Sequence, residues 1–189
     1  MLSNLRLKML NREAASPQNK PNKIIKNLNI HKGNVIADIG SGGGYFTLEF
    51  GRKTGDNGIV YSVDTKQKSL DFTKKEAHKE GLKNIKTVLA DDKGFSIPDQ
   101  SVDLFFLRNV FHHLEVPVEY FQNLKRFLKP DGRVAIVDYK ERSMSFIGIF
   151  GHFTPEKVLI NTMVKSGFKP VEKFDFLQKQ SFIIFMKII

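Results

Sequence analysis

Residues 38–44 read Asp38-Ile39-Gly40-Ser41-Gly42-Gly43-Gly44, directly after the apolar run that begins at Val35. No other stretch of the chain constrains its fold as much. A short apolar run closed by glycines reads as a buried strand, and the pattern from Tyr45 to Thr54 reads as a helix. Glycines at a strand-to-helix turn let the chain bend tightly and let a ligand approach the backbone closely. A tight turn with no ligand is the plain alternative, but it needs fewer glycines than this loop carries.

Strands and helices go on alternating along the chain. Further strands are expected at 59–63, 85–89, 103–107 and 133–138. Helices are expected at 45–54, 66–80 and 118–128, the last stopped by Pro130 and Gly132. Thr154-Pro155-Glu156 reads as a helix start, with threonine as N-cap and proline at the first helical position, and that helix ends near Gly167. Two helical pieces lead the chain: one within 1–20, with Leu2, Leu5 and Met9 as its apolar set, and one at 22–28. Alternation of this kind predicts parallel pairing through right-handed crossovers. The last two strands, 171–176 and 182–188, are joined by a short polar turn, so they form a hairpin and one of them runs antiparallel. The expected fold is α/β, a Rossmann-like, doubly wound, mostly parallel seven-stranded sheet with a C-terminal antiparallel hairpin. It is read as a single domain over 1–189, with 1–30 as a helical cap and 31–189 as the catalytic core.

Composition narrows the function. At 41% hydrophobic and 26% charged residues, the chain reads as globular. No apolar run approaches the roughly 18 residues of a membrane-spanning helix, and the first residues lack the pattern of a secretory signal. The expected location is the cytoplasm. The chain has no cysteine, which removes disulfides, thiolate metal sites and cysteine nucleophiles. Its histidines include one close pair, His112-His113, and no zinc-like spacing, so no metal is expected. The formal charge of +10 fits a lysine-rich solvated surface or an anionic substrate. Nucleic acid is not favoured, because no compact run of five or more basic residues is present. Oligomeric state is left open.

The loop also limits the ligand. A dinucleotide fingerprint, G-x-G-x-x-G, requires a small residue at position 45, where this chain has Tyr45. The spacing here is G-x-G-x-G, with an acid two residues before the first glycine. Asp64 closes the second strand, a position that suits a carboxylate accepting hydrogen bonds from ribose hydroxyls. Capping the following helix is its other reading.

Residues 35–44 together resemble the first motif of class I S-adenosylmethionine-dependent methyltransferases. Tyr61-Ser62-Val63-Asp64 looks like their second-strand acidic motif. Ala90-Asp91-Asp92 with Phe95–Asp99 and Ser101-Val102-Asp103 looks like the adenine-holding stretch. Residues 107–114 resemble the segment after the fourth strand, and 124–132 the turn before the fifth. These motifs cover about 34–140, and the closest look is to the quinone-biosynthesis-like branch of small-molecule methyltransferases. The resemblance implies S-adenosylmethionine as cofactor and gives each residue a role. Gly40, Ser41, Gly42 and Tyr45 line the loop around the methionine portion, and Asp38 orients it. Asp64 holds the ribose. Asp91, with Asp92 beside it, receives the adenine amino group. Backbone carbonyls around Arg108 and Asn109 meet the ammonium group.

Methyl transfer from a sulfonium is an in-line displacement, so positioning and desolvation supply much of the rate. A base is needed only when the acceptor arrives protonated. His112 and His113, just past the fourth strand, are the candidates, with packing against the sheet as their other reading. Tyr139 and His152 rank second. No Asn-Pro-Pro-Tyr-like segment follows the fourth strand, which argues against enzymes that methylate adenine or glutamine amino groups. A small-molecule methyltransferase is the leading reading. A nucleic-acid or protein methyltransferase and a non-catalytic cofactor-binding protein are the alternatives. The apolar residues of 143–152, with glycines between them, suit a lid, with Leu2, Leu5 and Met9 packing on it from above; filling a core under the sheet edge is the other reading of both sets. On the lid reading the first ten residues serve the acceptor, and removing them leaves cofactor affinity intact.

Overall fold

The computed structural model describes residues 2–91, 94–140 and 153–188, with Leu2 and Ser3 by backbone only. Asp92, His152 and the expected lid at 143–152 therefore lie outside the described residues. The chain divides into two compact units, Met1–Ile97 and Pro98–Ile189.

The first unit runs α1 (Leu2–Ala15), a 3-10 turn (Pro17–Asn19), α2 (Pro21–Asn27), β1 (Val35–Ile39), α3 (Tyr45–Thr54), β2 (Ile59–Asp64), α4 (Gln67–Lys79) and β3 (Ile85–Leu89). Its strands lie in the order β3-β2-β1, and both pairings are parallel, as the alternation predicts. Ile36, Ala37, Val60 and Val63 of the strands and Phe46, Phe50, Leu70 and Phe72 of the helices are buried. At about 1.5–3 kcal/mol for each large side chain, this apolar layer fixes the strand ends that carry the glycine loop. Asn84 secures the far end of α3, where its amide donates to the carbonyls of Gly51 and Gly55 at 2.9 Å each.

Helix α1 does not bury the face expected for it. Leu5 and Met9 are 57% and 58% exposed, whereas Leu7 and Ala14 are buried. Leu7, Leu10, Asn11 and Ala14 satisfy the 3.6-residue period as well as 2, 5 and 9 do. Packing against the unit selects the first set.

The second unit runs β4 (Val102–Arg108), a 3-10 turn (Phe111–His113), α5 (Pro117–Leu124), β5 (Leu128–Tyr139), α6 (Glu156–Lys165), β6 (Phe168–Phe174) and β7 (Gln180–Lys187). Strands β4 and β5 are parallel. Strand β7 lies between β5 and β6 and is antiparallel to both, which is the expected hairpin. Residues 104–107, 134–137 and 182–185 are all buried. Unbroken apolar runs of this kind belong to strands covered on both faces.

Helix α5 ends four residues earlier than expected. The carbonyls of Arg126 and Phe127 accept from Gln100, Ser101 and Val102 at 2.9 Å, so this backbone is committed to strand-like pairing. Pro130 and Gly132 then fall inside β5. There the partner of β4 jumps from Leu128 at Val102 to Arg133 at Leu104, a bulge that takes Pro130 out of the ladder. Pro155 is not the first helical residue either. It is extended, with ψ 136°, in the capping position, and the helix starts at Glu156. Thr154 makes no cap; its N–H donates to the Tyr139 carbonyl at 2.9 Å.

Among the described residues, no helix is long and apolar enough to cross a membrane.

Candidate functional site

Parallel pairing brings the carboxyl ends of β1, β2 and β3 to one edge of the first unit: Ile39 lies beside Val63, and Asp64 beside Leu89. At this edge the chain leaves β1 and turns. The N–H groups of Gly40 and Ser41 both donate to the Val63 carbonyl, at 2.8 and 3.1 Å. Gly40, Gly42 and Gly44 have φ of 67°, 56° and 81°, so alternate residues of the loop are left-handed, and glycine adopts that conformation without penalty. Gly44 has a second reason to be glycine. A Cβ there would lie 2.5 Å from the Thr73 hydroxyl oxygen of α4. That hydroxyl is buried without a hydrogen-bond partner.

Asp64 ties the loop to β2. One carboxylate oxygen accepts the Gly42 N–H at 2.9 Å and the other accepts the Lys66 N–H at 2.8 Å. A carboxylate offers about four acceptor sites, so the group has room for two further donors. Its bond to Lys66 is a local turn before α4, whose capping position belongs to Lys66.

Asp38 is buried and accepts the Thr47 hydroxyl at 2.6 Å, fastening β1 to α3. The Ser62 hydroxyl donates to Ser41 Oγ at 2.8 Å. Tyr45 opens α3 with its ring edge-on to Phe46. The N–H of Ala90 donates to the Asp64 carbonyl, and Asp91 forms a two-bond bridge with Gly94 and is exposed.

In the second unit, Arg108 is the last residue of β4 and pairs with Val137. Asn109 is left-handed, φ 56°, a region where asparagine is enriched among non-glycine residues. Its N–H donates to the Val137 carbonyl at 2.8 Å, and its Oδ1 accepts the buried Gln180 amide at 2.7 Å. His112 and His113 differ sharply. His112 Nδ1 lies 2.6 Å from Asp138 Oδ1, its backbone N–H donates to Asp138 Oδ2 at 2.9 Å, and its side chain is 8% exposed. His113 is exposed, with its ring centroid 4.1 Å from that of His112. Asp138 is fully buried and also accepts the Tyr139 N–H at 2.8 Å. With Nδ1–H donated to the carboxylate, Nε2 is the basic nitrogen of a neutral His112. A charge that forms on the ring is stabilised by Asp138.

Asp138 was missed from the sequence, although it sits one residue before the end of β5, as Asp38 does in β1, and Asp64 closes β2. Gln180 and Asn11 carry no comparable signal, because their partners are far away in the chain.

Residues 30–176 match the model of a methyltransferase domain, and the chain belongs to that family. It is 33% identical over 121 residues to a demethylmenaquinone methyltransferase of Lactobacillus johnsonii, covering 61% of this chain and 48% of that protein. It is 29% identical over 124 residues to a ubiquinone/menaquinone biosynthesis C-methyltransferase of Azotobacter vinelandii, covering 63% and 47%. The chain thus spans about half the length of the curated relatives it matches. A crystal structure of an S-adenosylmethionine-dependent methyltransferase from Aquifex aeolicus superposes with a TM-score of 0.83 at 23% identity, covering 97% of this chain and 98% of that one. The fold is that of class I S-adenosylmethionine-dependent methyltransferases, a Rossmann-like, seven-stranded mixed sheet.

Proposed function

We propose that the chain is an S-adenosylmethionine-dependent methyltransferase whose acceptor is a small aromatic molecule of the quinone class, methylated on carbon in its reduced, hydroxyl-bearing form. The observation that carries the cofactor assignment is the loop itself. Three alternate glycines expose its backbone, and the Asp64 carboxylate beside it retains acceptor capacity. These features fit a nucleoside with a charged tail. Gly40, Ser41, Gly42 and Tyr45 would hold the methionine portion, Asp38 would fix the loop, and Asp64 would hold the ribose. Asp91 and Asp92 would serve the adenine, and Arg108 and Asn109 the ammonium group.

When bound, the cofactor supplies an activated methyl group. The remaining need is a nucleophilic carbon, and a ring carbon becomes nucleophilic when an adjacent ring hydroxyl loses its proton. His112 would take that proton at Nε2, with Asp138 holding the ring and balancing its charge. As the new carbon–carbon bond forms, the bond from the methyl to the sulfonium sulfur breaks, and the methylated ring carbon then loses its own hydrogen to water as a proton, which restores the aromatic ring. His113, Tyr139 and His152 have no such role in this reading. The +10 charge is compatible with an anionic acceptor. The absence of cysteine supports a reducing compartment, and we place the activity in the cytoplasm.

The test is transfer of a labelled methyl group to a panel of acceptors. The panel includes a reduced naphthoquinone lacking its ring methyl, simple phenols, RNA and a basic protein. Label in the quinol supports the reading. Label in RNA or protein alone, lost at moderate salt, would replace it with the macromolecular alternative that the charge suggests.

A further inference from the structure

Helix α3 begins at the glycine loop with a defect. Its capping residue is Gly44, which has no side chain, and the first N–H groups of any helix lack intrahelical partners. The missing cap comes from another helix. Asn11 of α1 accepts the Tyr45 N–H on Oδ1 at 3.2 Å and donates from Nδ2 to the Gly43 carbonyl at 2.8 Å. One amide thus grips the loop at two points two residues apart. Only a side chain with both a donor and an acceptor can do so from this position. The fit around the grip is close. A Cβ at Gly43 would collide with Asn11 and come within 2.5 Å of the Leu7 carbonyl, and one at Gly42 would touch Leu10 Cδ1 at 3.6 Å.

We propose that Asn11 is a positioning residue for the cofactor loop, holding Gly43 and Tyr45 in the shape that receives S-adenosylmethionine. The inference rests on the assignment of 38–44 as the cofactor's seat. It gives α1 a cofactor-side role, one residue beyond the first ten that are expected to serve the acceptor. By linkage, cofactor binding must also tighten α1, because a contact that favours the bound loop is favoured by it in return.

The test is calorimetric titration of the full-length protein with the demethylated cofactor, S-adenosylhomocysteine, beside thermal melts without ligand and steady-state rates. Asn11→Ala raises the dissociation constant about tenfold, the scale of two hydrogen bonds. It raises the KM for S-adenosylmethionine in step and leaves kcat at saturation within about twofold. Asn11→Asp keeps the acceptor for Tyr45, loses the donor to Gly43, and falls between the two. In the unaltered protein, hydrogen exchange at 7–14 slows when S-adenosylhomocysteine is added. A melt lowered by Asn11→Ala with an unchanged dissociation constant would overturn the proposal, as would exchange at 7–14 that ignores the ligand. The unaltered protein separates the two levels. If it gives no saturable heat with S-adenosylhomocysteine, the loop assignment itself fails; if it binds and Asn11→Ala binds equally well, only the role of Asn11 fails.

Discussion

The glycine loop of the first unit and the His112–Asp138 pair of the second are built on opposite principles. The loop works with main-chain groups. Its N–H groups, its left-handed turns and its missing Cβ atoms form the surface, and one carboxylate, Asp64, is added to it. The pair works with side chains set 26 residues apart, and one member is entirely buried. A backbone surface suits a constant ligand, since few substitutions alter it without breaking the turn. A side-chain pair suits the variable half of the reaction, since exchanging one group changes the chemistry and leaves the fold in place.

The largest effect separates these two roles. His112→Ala lowers kcat by roughly 10²–10⁴-fold, the usual contribution of a positioned base, while the dissociation constant for S-adenosylhomocysteine stays within twofold. Asp138→Asn follows in the same direction, because an amide can present its donor to Nδ1 and favour the wrong tautomer. A His112 variant that binds the cofactor poorly and turns over normally at saturation would erase the division.

Asp64→Ala comes next and mirrors the first. It weakens cofactor binding by about 1.5–3 kcal/mol, the scale for hydrogen bonds to a charged group, with the thermal midpoint read alongside. An unchanged dissociation constant would reduce Asp64 to a brace between β2 and the loop.

The smallest effect concerns stability at alkaline pH and belongs to the second unit alone. Burial pushes the Tyr120 phenol of α5 above its ordinary value of 10.0. The neutral form is the one favoured in the folded state. Its contribution is therefore complete below the unfolded value and is lost as pH rises past it, at about 1.4 kcal/mol per pH unit. Denaturant melts between pH 9 and 11, values near the ordinary phenol pKa, should fall more steeply for the parent than for Tyr120→Phe. Parallel curves would show that the phenol reaches water.

The comparison also explains what was legible in the sequence. Val35–Ile39, Tyr45–Thr54 and Ile85–Leu89 have the bounds expected of them, because apolar pattern and glycine punctuation are local signals. The loop was legible for the same reason. Helix α5 was drawn too long because Phe127 and Leu128 continue its apolar pattern while their backbone joins a strand. The buried face of α1 was misjudged because two sets of residues share one helical period. Asp138 and Asn11 escaped notice because their partners, His112 and the loop, lie 26 and more than 30 residues away.

The central claim is that residues 38–44 form a seat for S-adenosylmethionine and not for a dinucleotide. Calorimetric titration of the unaltered protein with S-adenosylmethionine, S-adenosylhomocysteine and NAD tests it most directly. The account predicts saturable heat from the first two and none from NAD, since Tyr45 stands where a dinucleotide loop needs a small residue. Tight binding of NAD with no response to either S-adenosyl compound would contradict it.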